Sequence, residues 1–197
     1  MDFDFKVIRE PQWKSFIVIT KDPIFTPEQC QKIIQVGRSL PKEKAEVGGI
    51  SKSELNTNTR LSNVSFMPFE SLVPMYKQLN KVMLRYNRNH FGFDGMKLTE
   101  HAQYTEYSEG DFYNWHIDSY LDHPKEPPVR KLSMSCLLSP DNEFEGGGIE
   151  FFTDGNEAKL KQGQAIFFAS YIRHRIKPVE KGNRKSLVVW FGGPPFK

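Results

Sequence analysis

The chain has 197 residues, 38% of them hydrophobic and 26% charged, which describes an ordinary globular domain and excludes a disordered or fibrous chain. A net charge of +3, from 27 basic and 24 acidic side chains, is too mild to argue for nucleic acid or an anionic membrane as partner. The two cysteines, Cys30 and Cys136, form no C-x-x-C pair, so no zinc or redox motif is built from them. The acidic start Met1-Asp2-Phe3-Asp4-Phe5 has no apolar signal region, and no run approaches 18 apolar residues. The expectation is a single soluble, cytoplasmic domain over 1–197, with no membrane and no nucleic acid as partner. Nothing in the chain reads out an oligomeric state.

Phe16 to Ile19 predicts a short strand. Thr26-Pro27-Glu28 is a helix start, with an N-cap hydroxyl, proline at the first helical position and an acid in the first turn. Cys30, Ile33, Ile34, Val36 and Leu40 follow at helical spacing until Pro41. The polar stretch from Ala45 to Thr59, with Gly48-Gly49, predicts a loop, read first as an ordinary solvated connection and second as a lid that folds over a substrate. Arg60 to Met67 predicts one strand. Leu72, Tyr76, Leu79, Met83 and Tyr86 recur in steps of three and four, an amphipathic helix running to about His90 and closed by Gly92 and Gly95.

From Lys97 onward the pattern becomes short strands near 97–108, 113–119, 129–138, 148–153, 165–177 and 185–192. Turn signals such as Pro140-Asp141-Asn142 and Gly146-Gly147-Gly148 separate them. Two helices followed by six or more strands predict an α+β chain with the helices packed on a double-sheet β barrel or jelly roll. In that reading 1–96 is a supporting region and 97–192 the catalytic core.

Within this core, Trp115-His116-Ile117-Asp118 holds an H-x-D pair. On a strand, residues two apart face the same way, so the imidazole and carboxylate would grip one ion. His174, near the end of another predicted strand, is the candidate third ligand. Two histidines and a carboxylate on one face of an octahedron leave three positions open, which suits iron(II) with a chelating cosubstrate and O2. The H-x-D pair alone fits a core histidine and a turn acid equally well. The added weight comes from Arg184, ten residues after His174. Arg184, Ser186, Val188 and Trp190 share one strand face by alternation, and a buried arginine there needs an anion such as the distal carboxylate of 2-oxoglutarate.

On these residues, the stretch from about Gln103 to Trp190 resembles the prolyl 4-hydroxylase-like group of 2-oxoglutarate/iron(II) dioxygenases, including the PKHD-type hydroxylases. The parts come in the group's order. Gln103 to Tyr107 and Tyr113 to Asp118 resemble the tyrosine-bearing strand leading to H-x-D. Arg130 to Ser139 resembles the next core strand, Glu145-Gly146-Gly147-Gly148-Ile149-Glu150-Phe151 the E-G-G turn and strand, and His174 to Trp190 the H-x(9)-[RK] segment with its trailing tryptophan.

The resemblance implies a double-stranded β-helix, that is, a jelly roll with helices packed on one sheet. It implies iron(II) on His116, Asp118 and His174, and the C5 carboxylate of 2-oxoglutarate on Arg184. Tyr107 would line the cosubstrate pocket, with Tyr113 and Trp190 near the substrate end. Leu137 and Val188 stand where some relatives have a tyrosine and a threonine, so Ser133, Ser135 or Ser186 would supply the hydroxyls. Also implied are O2 as oxidant, ascorbate as reductant, succinate and CO2 as products, and a proline-containing peptide as substrate. The ten-residue spacing, and Trp190 rather than arginine six positions after Arg184, separate the chain from nucleic-acid demethylases of the same superfamily. Lysyl, arginyl and small-molecule hydroxylation remain open, as do a zinc-holding or non-catalytic peptide-binding barrel.

Overall fold

The structure is a computed structural model that describes residues 15–44, 59–119, 128–153, 155 and 157–196. The predicted loop at 45–59 lies outside the described residues except for Thr59. Strand β1 (Ile17–Ile19) precedes helix α1 (Pro27–Ser39), which starts on a complete capping box. There the Thr26 hydroxyl accepts the Gln29 N–H at 3.3 Å, and the Gln29 side-chain oxygen accepts the Thr26 N–H at 2.9 Å. The helix buries Cys30, Ile33, Ile34 and Gly37. Gly37 is required there, since a Cβ would sit 2.4 Å from the Tyr104 ring.

Next come β2 (Glu43–Lys44), β3 (Arg60–Leu61) and β4 (Asn63–Met67). The predicted strand from Arg60 to Met67 is therefore two. It breaks at Ser62, and its halves enter different sheets. Helix α2 (Val73–Tyr86) buries Met75, Tyr76, Leu79 and Met83, and continues as a π-turn over Asn87–Phe91. Gly92, at φ 73°, ends it and donates its N–H to the Asn87 carbonyl.

The strand-rich half holds β5 (Lys97–Leu98), β6 (Ala102–Tyr107), β7 (Phe112–His116), β8 (Val129–Leu137), β9 (Phe144–Gly146), β10 (Ile149–Phe151), β11 (Glu157–Ala158), β12 (Ala165–Ala169), β13 (His174–Ile176), β14 (Val179–Gly182) and β15 (Arg184–Gly193). Two expected strands are split. Positions 97–108 break between β5 and β6, and 165–177 is two strands joined by a turn, because β12 and β13 belong to opposite sheets. The major sheet runs β1-β12-β8-β15-β6-β4-β2, with β5 beside β15, and the minor sheet runs β11-β10-β13-β7-β3. All pairings are antiparallel.

This is the double-stranded β-helix, with both helices on the outer face of the major sheet. The larger core lies under the helices, where Leu79, Met83, Leu132, Met134, Phe167 and Leu187 are fully buried. A smaller one, including Tyr107, Ile149, Phe151, Ile166, Phe168 and Ile176, lies between the sheets. Among the described residues, no helix is long and apolar enough to cross a membrane.

Candidate metal centre and cosubstrate pocket

Strands β7 and β13 of the minor sheet pair His116 with His174 directly. The next registered pair is Tyr113 with Ile176, so three steps on β7 oppose two on β13. The extra residue is a bulge, and it turns Tyr113 and His116 to the same inner face despite their odd spacing. Tyr113 stacks on the His116 ring at 3.5 Å. The strand ends at His116, so Asp118 is not brought in by strand alternation. It is held by the turn before Arg173 instead, where its N–H and that of Ser119 both donate to the Ser170 carbonyl, at 2.9 and 3.0 Å.

The three side chains converge. His116 Nε2 lies 3.7 Å from Asp118 Oδ1, and His174 Nε2 lies 3.8 Å from Asp118 Oδ2. One ligand atom from each lies within 4.8 Å of the others. His116 Nδ1 faces the Asn114 carbonyl at 2.8 Å, and His174 Nδ1 faces the Ile172 carbonyl at 3.0 Å. A carbonyl only accepts, so each Nδ1 carries a proton, which leaves Nε2 as the atom that turns to the centre.

Burial, and after it His174, push the His116 pKa down to about 3, so this imidazole is neutral at physiological pH. Burial opposes ionisation of Asp118. The adjoining His174 and His116 nonetheless hold its pKa below the ordinary carboxylate value. Asp118 Oδ2 is buried with no hydrogen-bond partner, a cost the fold tolerates where a cation supplies the missing partner. Two imidazoles whose Nε2 atoms face the carboxylate, a carboxyl held toward its ionised form and an orphaned oxygen fit a divalent metal such as iron(II).

The centre opens into a cavity of about 280 Å³ between the sheets, lined by Tyr107, Tyr113, Ser135, Ile149, Ser186, Val188 and Trp190 among others. Inward-facing residues of β6, β8 and β15 form its major-sheet wall. Arg184 pairs with Tyr107, Ser186 with Thr105 and Leu137, and Trp190 with Ser133. Trp190 therefore stands near the metal end of β15 and Arg184 at the far end.

Arg184 is 3% exposed, donates from Nη1 to the Ser186 hydroxyl at 3.1 Å, and lies 5.6 Å from the Tyr107 ring centre. Burial draws its pKa below the ordinary guanidinium value. Among the described residues no carboxylate pairs with it. Ser133 sits at the other end, bonded to the Ser170 hydroxyl at 2.9 Å and close enough to Asp118 to favour its ionised form.

Sequence reasoning did not single out Arg60, Glu100, Gln103 or Arg130, which also line the cavity. Arg60 lies 4.5 Å over Tyr113, and Arg130 lies 4.1 Å over Trp190 while its guanidinium pairs with Glu100. Arg130 sits in the quoted core strand. Its alternation there carried a signal, but a strand-end arginine reads equally well as surface.

Residues 102–192 match the 2OG-Fe(II) oxygenase superfamily. A PKHD-type hydroxylase of Alteromonas mediterranea is 34% identical over 92 residues, 44% of this chain and 41% of the relative. Another, of Prochlorococcus marinus, is 25% identical over 166 residues, 83% of this chain and 71% of the relative. The match to the first of these spans about two fifths of that relative's length. A Pseudomonas putida prolyl-4-hydroxylase superposes with a TM-score of 0.70 at 18% identity, over 90% of this chain and 92% of that one. A viral collagen prolyl hydroxylase from Paramecium Bursaria Chlorella virus-1, in its 2OG complex, gives 0.68 at 20%, over 91% and 97%. These two likenesses speak to the fold. The segment matched to the 2OG-Fe(II) oxygenase superfamily contains all three converging side chains and the buried arginine, and the chain is similar to PKHD-type hydroxylases.

Proposed function

We propose that the chain is an iron(II)- and 2-oxoglutarate-dependent hydroxylase of a protein or peptide, with peptidyl proline as the preferred target. One observation carries the reading. A three-donor group with an orphaned carboxylate oxygen lies in a between-sheet cavity, and a buried arginine without an acidic partner among the described residues stands behind the Ser186 and Tyr107 that line that cavity.

In this reading His116, Asp118 and His174 hold the metal. Iron(II) there supplies the chemistry that couples oxidative decarboxylation of 2-oxoglutarate by O2, yielding succinate and CO2, to hydroxylation of a substrate C–H bond. The protein's part is positioning. Arg184 takes the distal carboxylate through its fork, preoriented by Ser186, and the Tyr107 ring closes that end. Tyr113 and Trp190 wall the metal end, each under an arginine, and hold the reacting carbon of the substrate while keeping bulk water out. Ser133 acts through Asp118 and Ser170 rather than on the cosubstrate. Ascorbate enters by resemblance alone, as the reductant that restores iron(II).

The peptide assignment draws on the prolyl hydroxylase neighbours. One of these, from Trichoplax adhaerens, is described in complex with a hypoxia inducible factor oxygen degradation domain peptide fragment. An aromatic-walled mouth also suits an extended, proline-bearing chain.

The test is succinate formation from 2-oxoglutarate with iron(II), and a +16 Da product on proline-containing peptides. His174→Ala should abolish both. Normal turnover in that variant overturns the ligand assignment. A metal complex that shows no visible charge-transfer band with 2-oxoglutarate under anaerobic conditions points to the zinc-holding alternative.

A further inference from the structure

Arg184 is buried, yet it lines one cavity and reaches another through a hydrogen-bonded neighbour. On one side is the cavity that leads to the metal group, which its Nη1 meets through Ser186. On the other, a second cavity of about 510 Å³ runs between the start of β15, the 146–148 turn and β11, and Arg184 lines it directly. Among the described residues, only Ile149 lines both cavities.

Beside Arg184 the second cavity is bounded by glycines, Gly146, Gly147 and Gly148. Gly146 and Gly147 have φ of 74° and 64°, and a Cβ on Gly147 would lie 2.9 Å from Arg184 Cδ. The turn thus packs bare backbone against the arginine stem.

We propose that the second cavity is a rear passage, through which a small dicarboxylate — 2-oxoglutarate entering, succinate leaving — exchanges at Arg184 without crossing the metal-side mouth. The inference rests on the reading of Arg184 as the carboxylate site. Lys159 and Lys161 line the outer part and draw an anion inward, although Asp141 and Glu157 line it too. The buried guanidinium of Arg184 is the next cation among the residues that line it.

The outer lip is lightly held. Strand β11 is two residues long and, among the described residues, pairs only with β10. Its Glu157 lies against Gly148 and is tied by Lys177 at 3.0 Å, a half-exposed ion pair of the kind that contributes little. Glu157 therefore acts as a latch. The passage explains how a site whose mouth is covered by a polypeptide renews its cosubstrate.

The test measures exchange rather than turnover. With iron(II) under anaerobic conditions, the charge-transfer band reports bound 2-oxoglutarate, and mixing with excess succinate gives its dissociation rate. Lys161→Trp, an exposed position that tolerates the change, and Ala158→Trp fill the cavity. Both should slow association and dissociation by about fivefold or more while leaving the equilibrium constant within about twofold. Glu157→Ala should accelerate both rates. Opposite signs in the two kinds of variant are not expected of a merely structural effect. Unchanged rates in Lys161→Trp and Glu157→Ala overturn the passage while leaving Arg184 as the carboxylate site. A wild-type protein that forms no band overturns the underlying reading, and the passage with it.

Discussion

At the scale of single residues, the site depends on where a few polar atoms are denied partners. Arg184 is the clearest case. Replacing it with methionine keeps the volume and removes the fork. Losing one partner of a buried charge pair costs about 2–5 kcal/mol, so the KM for 2-oxoglutarate should rise by about 30-fold or more, with a smaller effect on kcat. Steady-state kinetics at varied 2-oxoglutarate decide this, and an unchanged KM removes Arg184 from the pocket. Gly147→Ala tests the same arginine from behind. The new methyl meets both Arg184 Cδ and Val179 Cγ2 at 2.9 Å on a left-handed backbone. Stability should fall by about 1–3 kcal/mol, and the KM for 2-oxoglutarate should rise as the guanidinium shifts. The convergence of His116, Asp118 and His174 and the burial of Arg184 were legible in the sequence from residue type and spacing, with strand alternation right for Arg184. Asp118 reached the centre by a different route from the one expected. Its position depends on two hydrogen bonds to the Ser170 carbonyl, and a backbone acceptor leaves no mark on residue type.

At the scale of elements, local signals did well where they were covalent or periodic. The Thr26-Pro27 helix start and the three-and-four spacing to Tyr86 became α1 and α2, because capping chemistry and an apolar stripe act within one segment. Strand breaks were not legible. Ser62 and the 170–173 turn divide segments whose residues all favour extended backbone, and the break is set by which sheet each half completes. The bulge in β7 was equally hidden, since it exists only relative to β13. Helix α1 offers a direct test of how closely it is fitted to the sheet. Gly37→Ala places a methyl 2.4 Å from Tyr104 Cγ, and Tyr104 is 1% exposed on a central strand. The gain in helix propensity is about 1 kcal/mol, but overpacking of this severity costs about 1–3 kcal/mol, so the variant should be less stable. Thermal unfolding reads the sign, and a higher Tm shows that the helix lifts freely off the sheet.

At the scale of the whole molecule, the helical layer and the major sheet are joined by apolar burial and by a charged tie, the pair between Arg38 on α1 and Glu106 on β6. Burial works against the Glu106 carboxylate, yet the hydrogen bond and charge of Arg38, with Lys42 and Lys185 nearby, hold its pKa below the ordinary 4.5. A carboxyl whose pKa is lower folded than unfolded binds its proton more tightly in the unfolded chain. Its contribution is therefore fully present above about pH 4.5 and is lost as the pH falls through the folded-state value. Arg38 is half exposed, so the tie contributes no more than about 1 kcal/mol at neutral pH, and Glu106→Gln strands no buried cation. Denaturant unfolding at pH 7 should find Glu106→Gln less stable than the wild type by about that amount. The gap should narrow as the pH drops below 4.5 and close once Glu106 is protonated in the folded wild type. A gap that persists unchanged at pH 3 assigns the loss to packing around the side chain rather than to its charge.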